Sequence, residues 1–250
     1  MSGHSKWASI KHKKAATDQK RGKAFTKLIK EITVGAREGG GDPDANPRLR
    51  LAIQKAKDAN MPKDNISNAI KKGTGELPGV VYESILYEGY GPAGVAILVD
   101  VLTDNKNRAA AEIRSIFTKR NGNMAGAGSV AWQFKQKGII IVDKDKSDED
   151  KLMNIILENG ADDMVVEDTC FEISVQLKDF ETVKKAIEDN GIAMTQAEIT
   201  MVPDTTVKIN EKAVAQQVVN LVSFLEDYDD VQNVYSNFDI PDDILNEIVT

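Results

Sequence analysis

Between Gly138 and Val202 the hydrophobic pattern switches between two periods in an order that few folds accommodate. Ile139, Ile140, Ile141 and Val142 form a short β-branched run, and Asp148 to Asn159 carries apolar residues at helical spacing. Two alternating runs follow between Met164 and Leu177, meeting near Asp168, then a helical stretch from Phe180 to Asn190 and a last strand from Ala197 to Val202. Alternation marks strands and a 3.6 period marks helices. The resulting order, βαββαβ, is the ferredoxin-like pattern, in which two helices cover one face of an antiparallel sheet.

The preceding segment is incomplete by the same criterion. Tyr82 to Glu88 and Gly94 to Leu102 read as a hairpin, and Asn105 to Arg120 as a helix. After a loop from Gly122 to Ser129, read as loose, Trp132 and Phe134 mark one more strand. A helix and a strand are then missing, and the tail supplies them at Glu211 to Tyr228 and Val231 to Phe238. The sequence thus predicts a discontinuous α/β domain, residues 79–137 plus 207–250, with the ferredoxin-like unit 138–206 inserted into it. Ile240 to Asp243 can open a final short helix.

Residues 1–78 are different. Phe25, Leu28, Ile29, Ile32 and Ala36 recur at helical spacing, and at 100° per residue Lys20, Lys23, Lys27 and Lys30 fall on the opposite face. The run Gly39-Gly40-Gly41 stops that helix. Asn46 and Pro47 form an N-cap and first turn for a second, with Leu49, Ala52, Ile53 and Ala56. Pro62 opens a third with Ile66, Ala69 and Ile70, closed by Gly73. The fold class is α+β: an N-terminal three-helix bundle followed by two ferredoxin-like α/β domains, the second inserted into the first.

Charge separates the same regions. Residues 1–78 carry 17 Lys and Arg against 8 Asp and Glu, while the remainder carries 15 against 31. A net charge of -7 therefore conceals a basic third joined to acidic domains, the asymmetry of a chain that meets a polyanion with one part only. Two solvated faces of opposite sign are the ordinary alternative. No apolar run approaches the roughly 20 residues needed to span a bilayer, and the first residues lack the apolar segment of a secretory signal, so no membrane partner and a cytoplasmic location are expected. Cys170 is the only cysteine, which excludes disulfides and Cys-rich metal sites.

Basic charge with an aromatic nearby marks candidate nucleic-acid-binding residues in an arm (Lys6, Trp7, Lys11, His12, Lys13, Lys14) and on the helix that follows (Lys20, Arg21, Lys23, Lys27, Lys30). Lysine and arginine hold phosphate without reading sequence, and an aromatic can stack on an exposed base. The second helix offers Arg48, Arg50 and Gln54, residue types that read base edges, beside Lys55 and Lys57.

Other motifs fail on context. Gly89-Tyr-Gly91-Pro-Ala-Gly94 matches GxGxxG, but lies between strands with no helix to receive a pyrophosphate. Asp143-Lys-Asp145-Lys-Ser147 begins like a calcium loop, but Asp148 and Asn154 occupy positions needing Gly and Glu. His4 and His12 have no metal-ligand spacing, and no nucleophile motif occurs, so no enzyme, metal, cofactor or small-molecule substrate is expected. The acids Asp227, Asp229, Asp230 and Asp239, Asp242, Asp243 are expected on solvated surface.

The opening Met1-Ser-Gly-His-Ser-Lys-Trp-Ala-Ser-Ile-Lys-His-Lys-Lys14 resembles the N-terminal signature of the YebC/PmpR family. Asn60-Met-Pro-Lys-Asp-Asn-Ile66 with Ala69-Ile-Lys-Lys-Gly73, Tyr87-Glu-Gly-Tyr-Gly-Pro92 and Thr103-Asp-Asn-Lys-Asn-Arg108 extend the match along the chain. Ala93 departs from it where the family usually has a second Gly, and Ala109 where Thr is common. The resemblance implies three domains and a non-catalytic regulator that binds promoter DNA. The same family includes a mitochondrial translational activator and members linked to translation of proline-rich stretches, so ribosomal RNA or the ribosome is the alternative partner. By the resemblance, Gly3 to Lys14 and the loop Asn60 to Asp64 are the best site candidates, which adds Gly3, His4 and Ser5 to the arm and Met61, Pro62 and Lys63 in the loop.

Overall fold

A computed structural model describes residues 18–167 and 169–249. The described chain forms two compact units. One comprises the residues up to Ala131 together with those from Val207 onward, and the other is Trp132–Thr206.

The first unit opens with three helices, α1 (Asp18–Gly39), α2 (Pro47–Asp58) and α3 (Lys63–Thr74). Their core is Ile32, Ala36, Leu49, Ala52, Ile53, Ala56, Met61, Ile66 and Ala69, with Phe25, Leu28 and Ile29 against it. Asn46 joins the bundle because both ends of its side chain are used. Its Oδ1 accepts from Leu49 N, while its Nδ2 donates to the carbonyls of Gly35 and Gly40, each at 2.8 Å. Helices α1 and α3 touch closely at Gly73, where a Cβ would lie 2.5 Å from the Thr33 carbonyl oxygen. Any side chain there would force the two helices apart.

Strands β1 (Glu83–Tyr90), β2 (Ala96–Thr103), β3 (Asn123–Ala125) and, later, β9 (Val231–Ser236) form an antiparallel sheet of order β3-β1-β2-β9. Helix α4 (Lys106–Lys119) follows β2, and α7 (Lys212–Asp227) precedes β9. Both helices bury their apolar sides on one sheet face, in a core that includes Val99, Val101, Ile113, Phe117, Val218, Leu221, Leu225 and Val234. Each fully buried aliphatic or Phe side chain contributes about 1.5–3 kcal/mol. A parallel pair, β8 (Val207–Lys208) with β10 (Phe238–Asp239), and helix α8 (Asp242–Val249) close the unit.

The second unit runs β4 (Phe134–Asp143), α5 (Glu149–Glu158), β5 (Ala161–Val166), β6 (Cys170–Val175), α6 (Phe180–Asp189) and β7 (Gln196–Pro203). Its antiparallel sheet has the order β5-β6-β4-β7, the strand arrangement of a ferredoxin-like domain, with α5 and α6 on one face over Ile140, Val142, Phe171 and Ile173. Gly138 in β4 lets Phe180 lie on the sheet, since a Cβ there would sit 2.2 Å from its ring.

The two sheets share the two-helix, four-stranded plan but not the connectivity: the first runs ββαβ before the insertion and αβ after it. Two details differ from the sequence pattern. Phe134, expected as a strand of the discontinuous domain, begins β4 of the inserted sheet, where it pairs with Pro203. The strand of the discontinuous domain is instead Asn123–Ala125, inside the segment expected to be a loose loop.

That segment is not loose. Glu88 is buried, and its carboxylate accepts from the backbone N–H groups of Gly128 (2.6 Å), Val130 (2.6 Å) and Ala131 (2.8 Å). Burial alone would raise its pKa, but the N–H groups of Val130, Gly128, Ala131 and Ser129 outweigh it and hold the carboxyl below its ordinary value. Tyr90 adds a hydroxyl bond to the Ser129 carbonyl at 3.0 Å.

Candidate nucleic-acid interface

The apolar stripe of α1 faces its own bundle, and Lys23, Lys27 and Lys30 of its opposite face reach the end of α7. Lys27 Nζ donates to the Glu226 carbonyl at 2.8 Å, Lys23 Nζ to that of Asp227 at 3.1 Å and Lys30 Nζ to that of Asp229 at 3.0 Å. The last carbonyls of a helix have no partner within it and form the negative end of its dipole, so cations belong there. The ridge therefore corrects the sequence reading. Lys30 is buried rather than solvated, while Lys23 keeps an exposed side chain.

Lys30 also meets Asp230, with Nζ 2.6 Å from Oδ1 and both side chains 8% exposed. The other carboxylate oxygen accepts from Arg108 at 2.8 Å and Thr103 Oγ1 at 2.8 Å, with the Tyr228 hydroxyl at 3.3 Å. Burial opposes the charge, but these donors, Lys30 first, hold the Asp230 carboxyl down at about 2. Asp230 was expected on solvated surface; it is instead the buried centre of an ionic cluster. The segment Thr103–Arg108 supplies two of its partners, Thr103 and Arg108, and Asn105 in the same segment caps α4 by accepting from Arg108 N.

The loop at Asn60 to Lys63 ends α2 and begins α3. Asn60 adopts φ +57°, Asn60 N donates to the Lys57 carbonyl and Met61 N to that of Ala56, both at 2.9 Å. These are the two bonds of a Schellman motif, which places an apolar residue at Met61 against the helix it ends. Met61 is accordingly a core residue and not a surface contact; Pro62 and Lys63 are exposed.

What remains exposed and basic lies on α2 and α3. From Pro47 to Thr74 the chain carries seven Lys or Arg and two acids, Asp58 and Asp64. Lys55, Lys57, Lys63, Lys71 and Lys72 are exposed and have no acidic partner among the described residues. The groups suited to reading bases are engaged elsewhere. Arg48 Nε is 2.8 Å from Glu31, and its other end pairs with Glu38, which raises its pKa further. Arg50 donates to the carbonyls of Pro43 and Asp44, and Gln54 to Asp58.

The arm residues Gly3, His4, Ser5, Lys6, Trp7, Lys11, His12, Lys13 and Lys14 lie outside the described residues, as do the side chains of Lys20 and Arg21. Sequence reasoning missed the Asp230 cluster, the Glu88 clasp and a surface stack in which the Arg120 guanidinium lies 3.5 Å from the centre of the Phe224 ring. The paired cations and carboxylates were visible as residue types, but only the fold brings positions some 200 apart together. No group of three or more metal-ligating side chains, and no helix long and apolar enough to cross a membrane, occurs among the described residues.

The match to the model of the TACO1/YebC protein N-terminal domain covers residues 5–76, and that to the TACO1/YebC second and third domain covers residues 82–238. A probable transcriptional regulatory protein of Syntrophobacter fumaroxidans is 60% identical over 99% of this chain and 100% of its own. A protein of the same description from Dictyoglomus turgidum is 54% identical over 99% and 100%. The crystal structure of a conserved hypothetical protein from Aquifex aeolicus is similar with a TM-score of 0.81, at 46% identity, over 91% of this chain and 94% of that one.

Proposed function

Because the chain belongs to the TACO1/YebC family, we propose that it is a regulator of gene expression that acts by binding nucleic acid and not by catalysis. The names of the relatives favour DNA as the target. The observation that carries the reading is the exposed cationic surface of α2 and α3, where Lys55, Lys57, Lys63, Lys71 and Lys72 are left without acidic partners among the described residues, while Lys23, Lys27 and Lys30 of α1 donate to carbonyls at the end of α7. Lys6, Lys11, Lys13 and Lys14, outside the described residues, would add four more cations for phosphate.

The engagement of Arg48, Arg50 and Gln54 favours a second reading within the same class. Lysine ammonium groups grip phosphate without distinguishing bases. A surface of that kind suits the RNA of a ribosome at least as well as a promoter.

The test is binding by the full chain to promoter DNA, random DNA and ribosomes at physiological salt. About five phosphate contacts give a slope of log affinity against log salt near -4.5 on duplex DNA. Replacing Lys63, Lys71 and Lys72 together by Glu abolishes binding to the physiological target. Ribosome association with no more than about tenfold preference for promoter over random DNA, some 1.4 kcal/mol, selects the RNA reading, and no binding to any of the three overturns the proposal.

A further inference from the structure

The outer surface of the α4–α7 layer differs from the rest of the acidic part of the chain. Residues 79–250 carry 31 acids against 15 bases, yet α4 and its capping residue carry Lys106, Arg108, Arg114, Lys119 and Arg120 against Glu112 alone. Lys106 is paired with Glu83, and Arg108 with Asp104 and Asp230. Arg114, Lys119 and Arg120 have no acidic partner among the described residues. Alongside, Ala213 to Leu225 of α7 contains no charged residue at all.

On this surface Phe224 is 45% exposed, an unusual place for a large aromatic, and Arg120 Cζ lies over its ring, 3.5 Å from the centre. The guanidinium makes no hydrogen bond among the described residues, so its edge retains donors for an anion. Gln217 is exposed two turns earlier on the same side of α7, roughly 10 Å along the helix. Lys23 reaches the end of α7 one turn beyond Phe224, where it also meets Asp227 at 4.0 Å.

We propose that Arg120 and Phe224 form a stacking subsite for an unpaired base of single-stranded nucleic acid, on a helix whose unpaired Arg114 and Lys119 add to the cationic charge. Cationic charge in an otherwise acidic region selects an anionic occupant. The exposed aromatic and planar guanidinium select one with flat, apolar faces, and a base attached to phosphate has both properties. A duplex buries the base faces and offers only phosphate. The inference rests on the reading of the protein as a nucleic-acid binder and adds where and in what form the strand is held.

The experiment measures fluorescence anisotropy of short labelled single-stranded RNA, single-stranded DNA and duplex with the full-length protein, against Phe224→Leu and Arg120→Lys. Phe224 is exposed and Arg120 half-buried, and the substitutions keep bulk or charge; unchanged unfolding midpoints verify the fold. Loss of one stacked base weakens single-strand binding by roughly five- to hundredfold, with duplex binding within about twofold of the parent. Weakening with RNA, DNA or both supports the subsite and identifies the strand. If the parent binds single strands and neither variant weakens them, or if duplex binding falls equally, the subsite is wrong while the nucleic-acid function stands. If the parent binds none of the three, both fall together.

Discussion

Lys30 and Asp230, 200 positions apart in sequence, meet at 2.6 Å with both side chains buried. This contact joins the first helix to the turn between α7 and β9. Replacing Lys30 by Met removes the cation and leaves a buried carboxylate served by Arg108, Thr103 and Tyr228 alone. Breaking a buried pair from one side costs about 3–5 kcal/mol. Urea unfolding of Lys30→Met should show that loss, and a change below about 1 kcal/mol would mean that the pair is worth no more than a surface one.

The same cluster sets an acid limit. The folded-state pKa of Asp230, about 2, lies below its ordinary value of 3.8. A depressed carboxylate contributes stability that is fully present above the ordinary value and is lost as pH falls through the folded one. Stability should therefore decline between about pH 4 and pH 2, and Asp230→Asn, less stable at neutral pH, should decline less over that interval. Parallel stability curves for parent and variant across it would contradict the assignment.

Glu88 makes a separate prediction. Its carboxylate holds three backbone N–H groups of the loop 126–131. Glu88→Ala removes all of these acceptors and should cost about 2–4 kcal/mol, since hydrogen bonds to a charged group are worth about 1.5–3 kcal/mol each and do not add fully. Hydrogen exchange at Gly128, Val130 and Ala131 should accelerate more than at the centre of β2. Uniform acceleration throughout the unit would show that the loop is held by something else.

Ala93 occupies the left-handed region at φ +57° in the turn between β1 and β2. A side chain there is strained by about 1–2 kcal/mol, partly offset by the greater unfolded-state freedom of glycine. Ala93→Gly should thus stabilise the protein by up to about 1 kcal/mol, seen as a rise in thermal midpoint. A lower midpoint would show that the backbone relaxes around alanine.

The inserted domain was the most legible part of the sequence because each of its elements reports its own period, and Ile140, Phe171 and Ile187 all point to one core. The helix and strand of the discontinuous domain could be assigned to it by counting missing elements. Side-chain partnerships were less accessible. Amphipathic spacing shows that Lys23, Lys27 and Lys30 share a face, but not whether water or the end of α7 lies opposite. Met61 looked like an exposed loop residue because a Schellman turn is recognised by backbone geometry, here at Asn60, where sequence usually signals it with glycine. Phe134 was assigned to the wrong sheet because a strand next to a domain crossing carries no mark of which neighbour it will pair with.

Placing α7 and β9 after the insertion also orders events during synthesis. Strands β1 to β3 emerge long before β9, which completes their sheet, and Asp230 follows Lys30 by 200 residues. At about 5–20 residues per second, the first helix waits roughly 10–40 s for its anchor. Throughout that interval Lys23, Lys27 and Lys30 lack the carbonyls and the carboxylate of residues 226–230 that engage them in the folded chain.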